Sequence, residues 1–113
     1  MDASDEETAV TATYMVERYW PGVAQDQVRC AVSKVGEAVC EMGRNGTAIR
    51  YLGSTLIPVD ESVLCLFQAT SADVVAEANR RAGVGFDRIS PGIDVLSGGH
   101  IASGDDGCTH AAR

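Results

Sequence analysis

The spacing of apolar residues divides the first two thirds of the chain into alternating strand-like and helix-like segments. Residues 13–20 are rich in aromatic and β-branched types, which indicates a strand that ends at Pro21-Gly22. Residues 24–42 carry apolar side chains at 3.6-residue spacing, which predicts a helix. The apolar stripe of this helix consists of Val28, Ala31, Val32, Val35, Val39 and Met42. Residues 47–57 and 62–69 predict two strands joined by a reversal at 58–61.

The remaining pattern completes a known arrangement. Ser71 suits the N-cap of a helix over residues 72–82, and Gly83 suits its end. After a turn at 86–89, a last strand is expected near 92–97. The order β-α-β-β-α-β predicts an α+β, ferredoxin-like fold, with a four-stranded antiparallel sheet and two helices on one face. We assign this domain to residues 13–97, with a flexible acidic arm at 1–12 and a flexible Gly/Ser/Asp tail at 98–113.

The two middle strands are apolar on both faces, which is unusual for a sheet with one face in water. Alternation places Val63, Cys65 and Phe67 on one face of the third strand, and Leu64 and Leu66 on the other. In the second strand it places Ile49, Tyr51 and Ile57 on one face, and Ala48, Leu52 and Leu56 on the other. Two helices cover only one face, so we expect a homodimer formed through the open sheet face.

Composition narrows the function classes. The chain has 113 residues and a formal net charge of −7, and much of the acidity lies in the first 12 residues. This balance disfavours a nucleic-acid partner, since a phosphate backbone requires a basic surface. The N-terminus is acidic and no long apolar run follows, so we expect a cytoplasmic protein with no membrane partner. In that compartment the four cysteines are expected to be reduced thiols.

Candidate chemistry in the body of the chain rests on few residues. Glu17 is a carboxylate in the middle of an otherwise apolar strand, where it needs either an ion-pair partner or a metal. Cys65 is the soft donor of the third strand; it is either a small core residue or a ligand. Tyr51 and Arg18 are candidates to line a pocket with them.

Both histidines lie near the C-terminus, which counts against an imidazole base inside the fold. His100, Cys108 and His110 supply donors for a soft metal, but an unstructured segment must be ordered on binding and would chelate weakly.

Four runs carry a family resemblance: Tyr14-Met-Val-Glu-Arg-Tyr-Trp-Pro-Gly-Val23, Arg50-Tyr-Leu-Gly-Ser-Thr55, Cys65-Leu-Phe67, and Glu77-Ala-Asn-Arg-Arg-Ala-Gly83 followed by Phe86-Asp-Arg-Ile89. Together they resemble a family of small nickel-binding, ferredoxin-like proteins, formerly classed as a domain of unknown function. The chain departs from that family at Arg18, where a histidine is frequent, and at Gln68, where a glutamate is frequent. These departures remove two metal donors.

The resemblance implies a non-enzymatic protein that binds a divalent metal, with nickel as its cofactor. The alternative, from a different class, is a small-molecule-binding protein or small enzyme of the dimeric α+β barrel type. Its pocket would lie around Glu17, Tyr51 and Cys65. A cavity that Glu17 enters would favour this alternative, whereas Glu17 paired with an arginine would oppose it.

Overall fold

The fold is a four-stranded antiparallel sheet with two helices on one face, as the sequence predicts. The computed structural model describes residues 10–93 and residue 95. The elements are β1 Ala12–Tyr19, α1 Gln25–Arg44, β2 Ile49–Ile57, a short 3-10 helix Pro58–Asp60, β3 Ser62–Ala69, α2 Ala72–Arg81 and β4 Arg88–Gly92. The spatial strand order is β2-β3-β1-β4. This order confirms the ferredoxin-like topology and places β1 and β3 at the centre of the sheet.

Local chemistry explains where the helices begin and end. At the start of α1, the Ala24 backbone N–H donates to Gln27 Oε1 at 2.8 Å, which partly replaces the missing side-chain cap. At the start of α2, Ser71 Oγ accepts a hydrogen bond from the Val74 N–H at 3.3 Å, so the predicted N-cap is confirmed. Gly83 follows α2 with a φ of 73°, a conformation that favours glycine at a helix end.

The hydrophobic core fills the space between the helices and one face of the sheet, which we call the covered face. Phe67 and Val16 are fully buried at its centre, and Val75 of α2 packs against them. Of the predicted α1 stripe, five residues are buried and Val32 is partly buried against the core. The 3.6-residue period therefore identified the inward face of α1 correctly.

A β-bulge in β2 corrects the expected alternation of that strand. Tyr51 pairs with Phe67 but Gly53 pairs with Leu66, so Leu52 is an extra residue. Gly53 has a φ of 147°, which an L side chain rarely adopts. Beyond the bulge every side chain changes face. Leu56 therefore packs towards the core and Ile57 points to the opposite face, the reverse of what strict alternation predicts.

The last strand also differs from the expectation. It spans Arg88–Gly92 and not 92–97, and Ile89 in it pairs with Val16 on β1. Ile93 and Val95, which suggested a strand, are 87% and 89% exposed. The strand tolerates Pro91 because β4 is an edge strand, where one side of the backbone has no partner to bond.

The other face of the sheet, which we call the open face, carries no helix. It presents Met15, Leu64 and Leu66 among polar side chains, and Leu66 and the bulged Leu52 are each 41% exposed. Within the described residues, no helix is long and apolar enough to cross a membrane. The proposed arm and tail, apart from residues 10–12, lie outside the described part of the chain.

Candidate functional site

A buried arginine organises the polar centre of the covered face. Arg18 on β1 is only 5% exposed. Its Nε donates to the Gly85 carbonyl at 2.7 Å, its Nη2 donates to Asn79 Oδ1 at 2.7 Å, and its Nη1 lies 3.6 Å from Cys65 Sγ. Among the described residues, no carboxylate lies within ion-pair distance of this guanidinium. Its charge is therefore held by neutral acceptors alone, which is an expensive way to bury a cation.

Asn79 is the residue that holds this arginine in place. It is fully buried on α2, where its Nδ2 donates to the Val75 carbonyl at 2.9 Å. That bond fixes the amide so that its oxygen faces the Arg18 guanidinium. Asn79 was not among the site residues expected from the sequence. The signal was present, because the residue follows Val75 and Ala78 on the inward stripe of α2, where an amide requires a buried partner.

Cys65 joins Arg18 to a second group of hydroxyls. Ser54 Oγ lies 2.7 Å from Cys65 Sγ, and Tyr51 OH hydrogen-bonds to Ser54 Oγ. The bulge at Gly53 produces this contact, since residues three apart on a regular strand face opposite sides. Sequence reasoning expected Tyr51, Cys65 and Arg18 near one another, and the structure brings these three together. It did not place Ser54 with them.

Burial fixes the protonation state of the tyrosine. Desolvation raises the pKa of Tyr51 to about 12, and electrostatic repulsion from the Cys65 sulfur contributes in the same direction. The hydrogen bond with Ser54 and the positive charge of Arg18 lower this pKa, but by less. Tyr51 is therefore a neutral phenol near pH 7 in the metal-free protein, and it is not a phenolate base there.

Glu17 lies on the opposite side of the sheet from this cluster. Val16 pairs with Cys65, so the next residue, Glu17, points to the open face. There its carboxylate forms an ion pair with Arg88, with Oε1 3.0 Å from Nη2. Glu17 and Cys65 therefore cannot hold the same metal ion within one chain. The predicted pocket around Glu17, Tyr51 and Cys65 is divided by the sheet itself.

The other predicted donors fall in different places. Cys30 is an exposed free thiol, and Cys65 is a buried free thiol. Cys40 is buried and disulfide-bonded, so the expectation that all four cysteines are reduced is wrong at this residue. His100, Cys108 and His110 lie outside the described residues.

The covered-face cluster does not fit a nickel ion. Its only soft donor, Cys65, has the Arg18 guanidinium 3.6 Å away, and a divalent cation on that sulfur would be repelled by it. Ser54 and Tyr51 add only neutral hydroxyls. Within residues 10–93 and 95, no group of three or more His, Cys, Asp and Glu side chains is arranged to hold a metal.

Comparison with known proteins connects this fold to a family. The sequence model of the SCO4226-like nickel responsive proteins matches residues 14–91, more than half of the chain. The chain belongs to this family. The match includes both helices and part or all of every strand, and it agrees with the resemblance carried by the four sequence runs.

A solved structure of an SCO4226-like protein shows the same fold. The crystal structure of SCO4226 from Streptomyces coelicolor A3(2) superposes with a TM-score of 0.59 at 24% sequence identity. The alignment covers 76% of this chain and 99% of that chain. At this identity the likeness supports the fold alone. No curated protein matches the sequence.

Proposed function

We propose that this protein is a non-enzymatic nickel-binding protein. The observation that carries the proposal is its membership of a nickel responsive family, with a match over residues 14–91. The family is named for a response to nickel, and binding of the ion is the simplest way in which a small protein could take part in such a response.

Glu17 is the body residue that best suits such a role. Its side chain is 32% exposed on the open face, so a hydrated metal ion can reach it. Its partner Arg88 is 65% exposed and can swing away at little cost, because surface ion pairs contribute about 0–1 kcal/mol. One carboxylate is too few for a nickel site, so the remaining donors must come from a second copy or from the tail.

A homodimer through the open face would supply a second Glu17. Support for it comes from the apolar side chains on that face, where Leu52 and Leu66 are each 41% exposed. The central position of β1 in the sheet would bring the two carboxylates towards the middle of such an interface. We therefore propose a dimer in which both copies of Glu17 take part in one nickel site.

Native mass spectrometry of the tag-free, full-length protein with Ni²⁺ or Zn²⁺ tests the site. We expect one nickel ion per dimer, and at least tenfold weaker binding in Glu17→Gln. Glu77→Gln is the matched control, since it removes an exposed carboxylate from α2. Cys65→Ser should bind like the parent protein, because the Arg18 guanidinium excludes metal from that thiol.

A double variant separates the body from the tail. His100→Ala and His110→Ala together should leave the nickel stoichiometry unchanged. If instead this variant loses all nickel and Glu17→Gln retains it, the tail chelates the ion and the proposed body site is wrong.

The dimer has its own test. Leu66→Lys places a charge on the open face without entering the core, so sedimentation velocity should show a monomer where the parent protein is dimeric. Val59→Lys, at an exposed position outside the strands, is the control and should stay dimeric. A parent protein that sediments as a monomer at all concentrations would contradict the proposed interface.

A further inference from the structure

A groove opens beside the buried arginine, on the edge of the covered face. It has a volume of about 620 Å³, within the range of small-molecule sites. Three segments form it: the end of β1 with Trp20, one side of α1 with Cys30 and Lys34, and the loop 82–87. Glu17 and Cys65, the body residues considered as nickel ligands, do not line it. Of the candidate pocket residues, only Arg18 does. The groove therefore has no role in the function proposed above.

The walls of the groove are held in place before any ligand arrives. In the loop, the Val84 N–H donates to the Asn79 carbonyl at 3.0 Å. At the β1 end, the Asp87 N–H donates to the Glu17 carbonyl at 2.8 Å, and Asp87 Oδ2 accepts from the Tyr19 N–H at 2.6 Å. A preformed cavity loses less conformational entropy on binding than a mobile one.

The charge of the groove favours an anion. Among its lining residues, Arg18 and Lys34 are cationic and Asp87 is anionic, which leaves one net positive charge. The described residues offer no ion-pair partner for either cation. Asp87 disfavours a dianion such as phosphate, so a single carboxylate matches the groove better.

Arg18 has donors to spare for such a carboxylate. A guanidinium carries five N–H groups, and the described residues accept three hydrogen bonds from it. Its charge is almost fully buried with neutral acceptors only, and an incoming carboxylate would supply the missing counter-charge. The indole of Trp20 and the ring of Phe86 add apolar surface for the rest of the ligand.

We propose that this groove binds a small monocarboxylate with an apolar body, with the carboxylate held by Arg18 and Lys34 and the body packed against Trp20 and Phe86. The site lies on the other side of the sheet from Glu17. Its ligand binding is therefore independent of nickel and of the proposed dimer interface.

The test uses a matched pair of probes on the full-length ¹⁵N-labelled protein in metal-free buffer with a chelator. One probe is 3-phenylpropionate, and the other is its neutral isostere 3-phenylpropionamide. Trp20 is the only tryptophan in the sequence, so its indole N–H gives one unambiguous signal from the groove. We expect saturable shifts of this signal and of the Gly85 amide, with the carboxylate bound at least tenfold more tightly than the amide.

Variants distinguish the groove from general charge attraction. Lys34→Gln changes an exposed side chain, keeps the fold and should weaken carboxylate binding about threefold. Arg50→Gln removes another exposed cation, on the open face, and should leave binding unchanged. Equal affinity for the two probes, no saturable shift at Trp20, or equal effects of the two variants would overturn the proposal.

Discussion

The two faces of the sheet hold charge in opposite ways, and two neighbouring residues show it. Glu17 points to the open face, where an ordinary surface ion pair with Arg88 satisfies it. Arg18 points to the covered face, where it is 5% exposed and is held by a carbonyl, an amide and a thiol. Water screens the first pair and makes it nearly dispensable. Water does not reach the Arg18 network, so the loss of any one partner leaves a buried polar group without a hydrogen bond.

The largest expected contrast between the faces is in packing. Phe67→Ala removes a fully buried ring from the covered face and should lower the free energy of unfolding by about 3–5 kcal/mol. Leu66→Ala, at the adjacent position on the open face, should cost about 1 kcal/mol because that side chain is already 41% exposed. Urea denaturation followed by circular dichroism measures both. A cost at Leu66 that grows with protein concentration would indicate a dimer through this face.

The polar contrast is next in size. Asn79→Ala removes the Oδ1 acceptor from a buried guanidinium and should destabilise the protein by about 2–3 kcal/mol. Arg88→Gln breaks the exposed ion pair and should change stability by less than about 1 kcal/mol. The same urea experiment compares them. Similar values for the two variants would mean that Arg18 is more hydrated than its burial indicates.

A pH titration tests the covered face through Tyr51. Its folded pKa is raised to about 12 from an unfolded value of 10, so its contribution is fully present below pH 10 and is lost as the pH rises towards 12. At about 1.36 kcal/mol per pKa unit, the shift of two units corresponds to about 2.7 kcal/mol, most of which is lost across this window. Tyr51→Phe should remove that alkaline loss.

Tyr19→Phe is the control for this titration, since Tyr19 is 61% exposed. Its unfolding free energy should follow the parent protein between pH 10 and pH 12. Absorbance of the tyrosines at 295 nm checks the midpoints directly. A Tyr51 midpoint near pH 10 would contradict the burial of its hydroxyl beside Ser54 and Cys65.

The last contrast concerns the bulge that builds the hydroxyl cluster. Gly53→Ala places a side chain on a residue with a φ of 147° and should cost about 1–3 kcal/mol in backbone strain. No atom lies within 4 Å of the added Cβ, so a steric clash adds nothing to this cost. Gly43→Ala, near the end of α1 with an ordinary φ and equally open space, should be neutral or slightly stabilising. Thermal unfolding measures both. If Gly53→Ala leaves the unfolding temperature unchanged, the bulge accepts a side chain at this φ without strain.

The topology could be predicted from the sequence because the strand composition, the helical periodicity and the helix-capping residue all indicated the same order of elements. The α1 stripe identified the inward face of that helix, Ser71 marked the start of α2, and alternation correctly grouped Val63, Cys65 and Phe67 on one face of β3. The prediction of side-chain faces failed in β2, where one extra residue changes the register of the strand. Nothing in the apolar spacing of 49–57 shows that Leu52 is an extra residue, because apolar side chains occupy both faces there. The sequence pattern also misplaced β4, since the apolar residues after Pro91 resemble a strand more than Arg88–Gly92 does.

The candidate site was recovered in part. Arg18, Tyr51 and Cys65 were expected together and are together, because β1 and β2 both pair with β3 and present these side chains on its covered side. Glu17 was expected with them and is not, although its adjacency to Arg18 in a strand already implied opposite faces. Asn79 was missed because a polar residue on a short helix is ordinarily exposed.

The sequence by itself determined the element order, the inward stripe of α1 and the family, because these depend on local periodicity and on runs of residues that lie close in the chain. Only the tertiary structure decided which polar groups meet. The contact of Arg18 with Asn79 joins residues far apart in the chain, and that of Tyr51 with Ser54 depends on a one-residue bulge. Hydrogen bonds require ångström-scale placement of partners, and that placement exists only once the helices pack on the sheet.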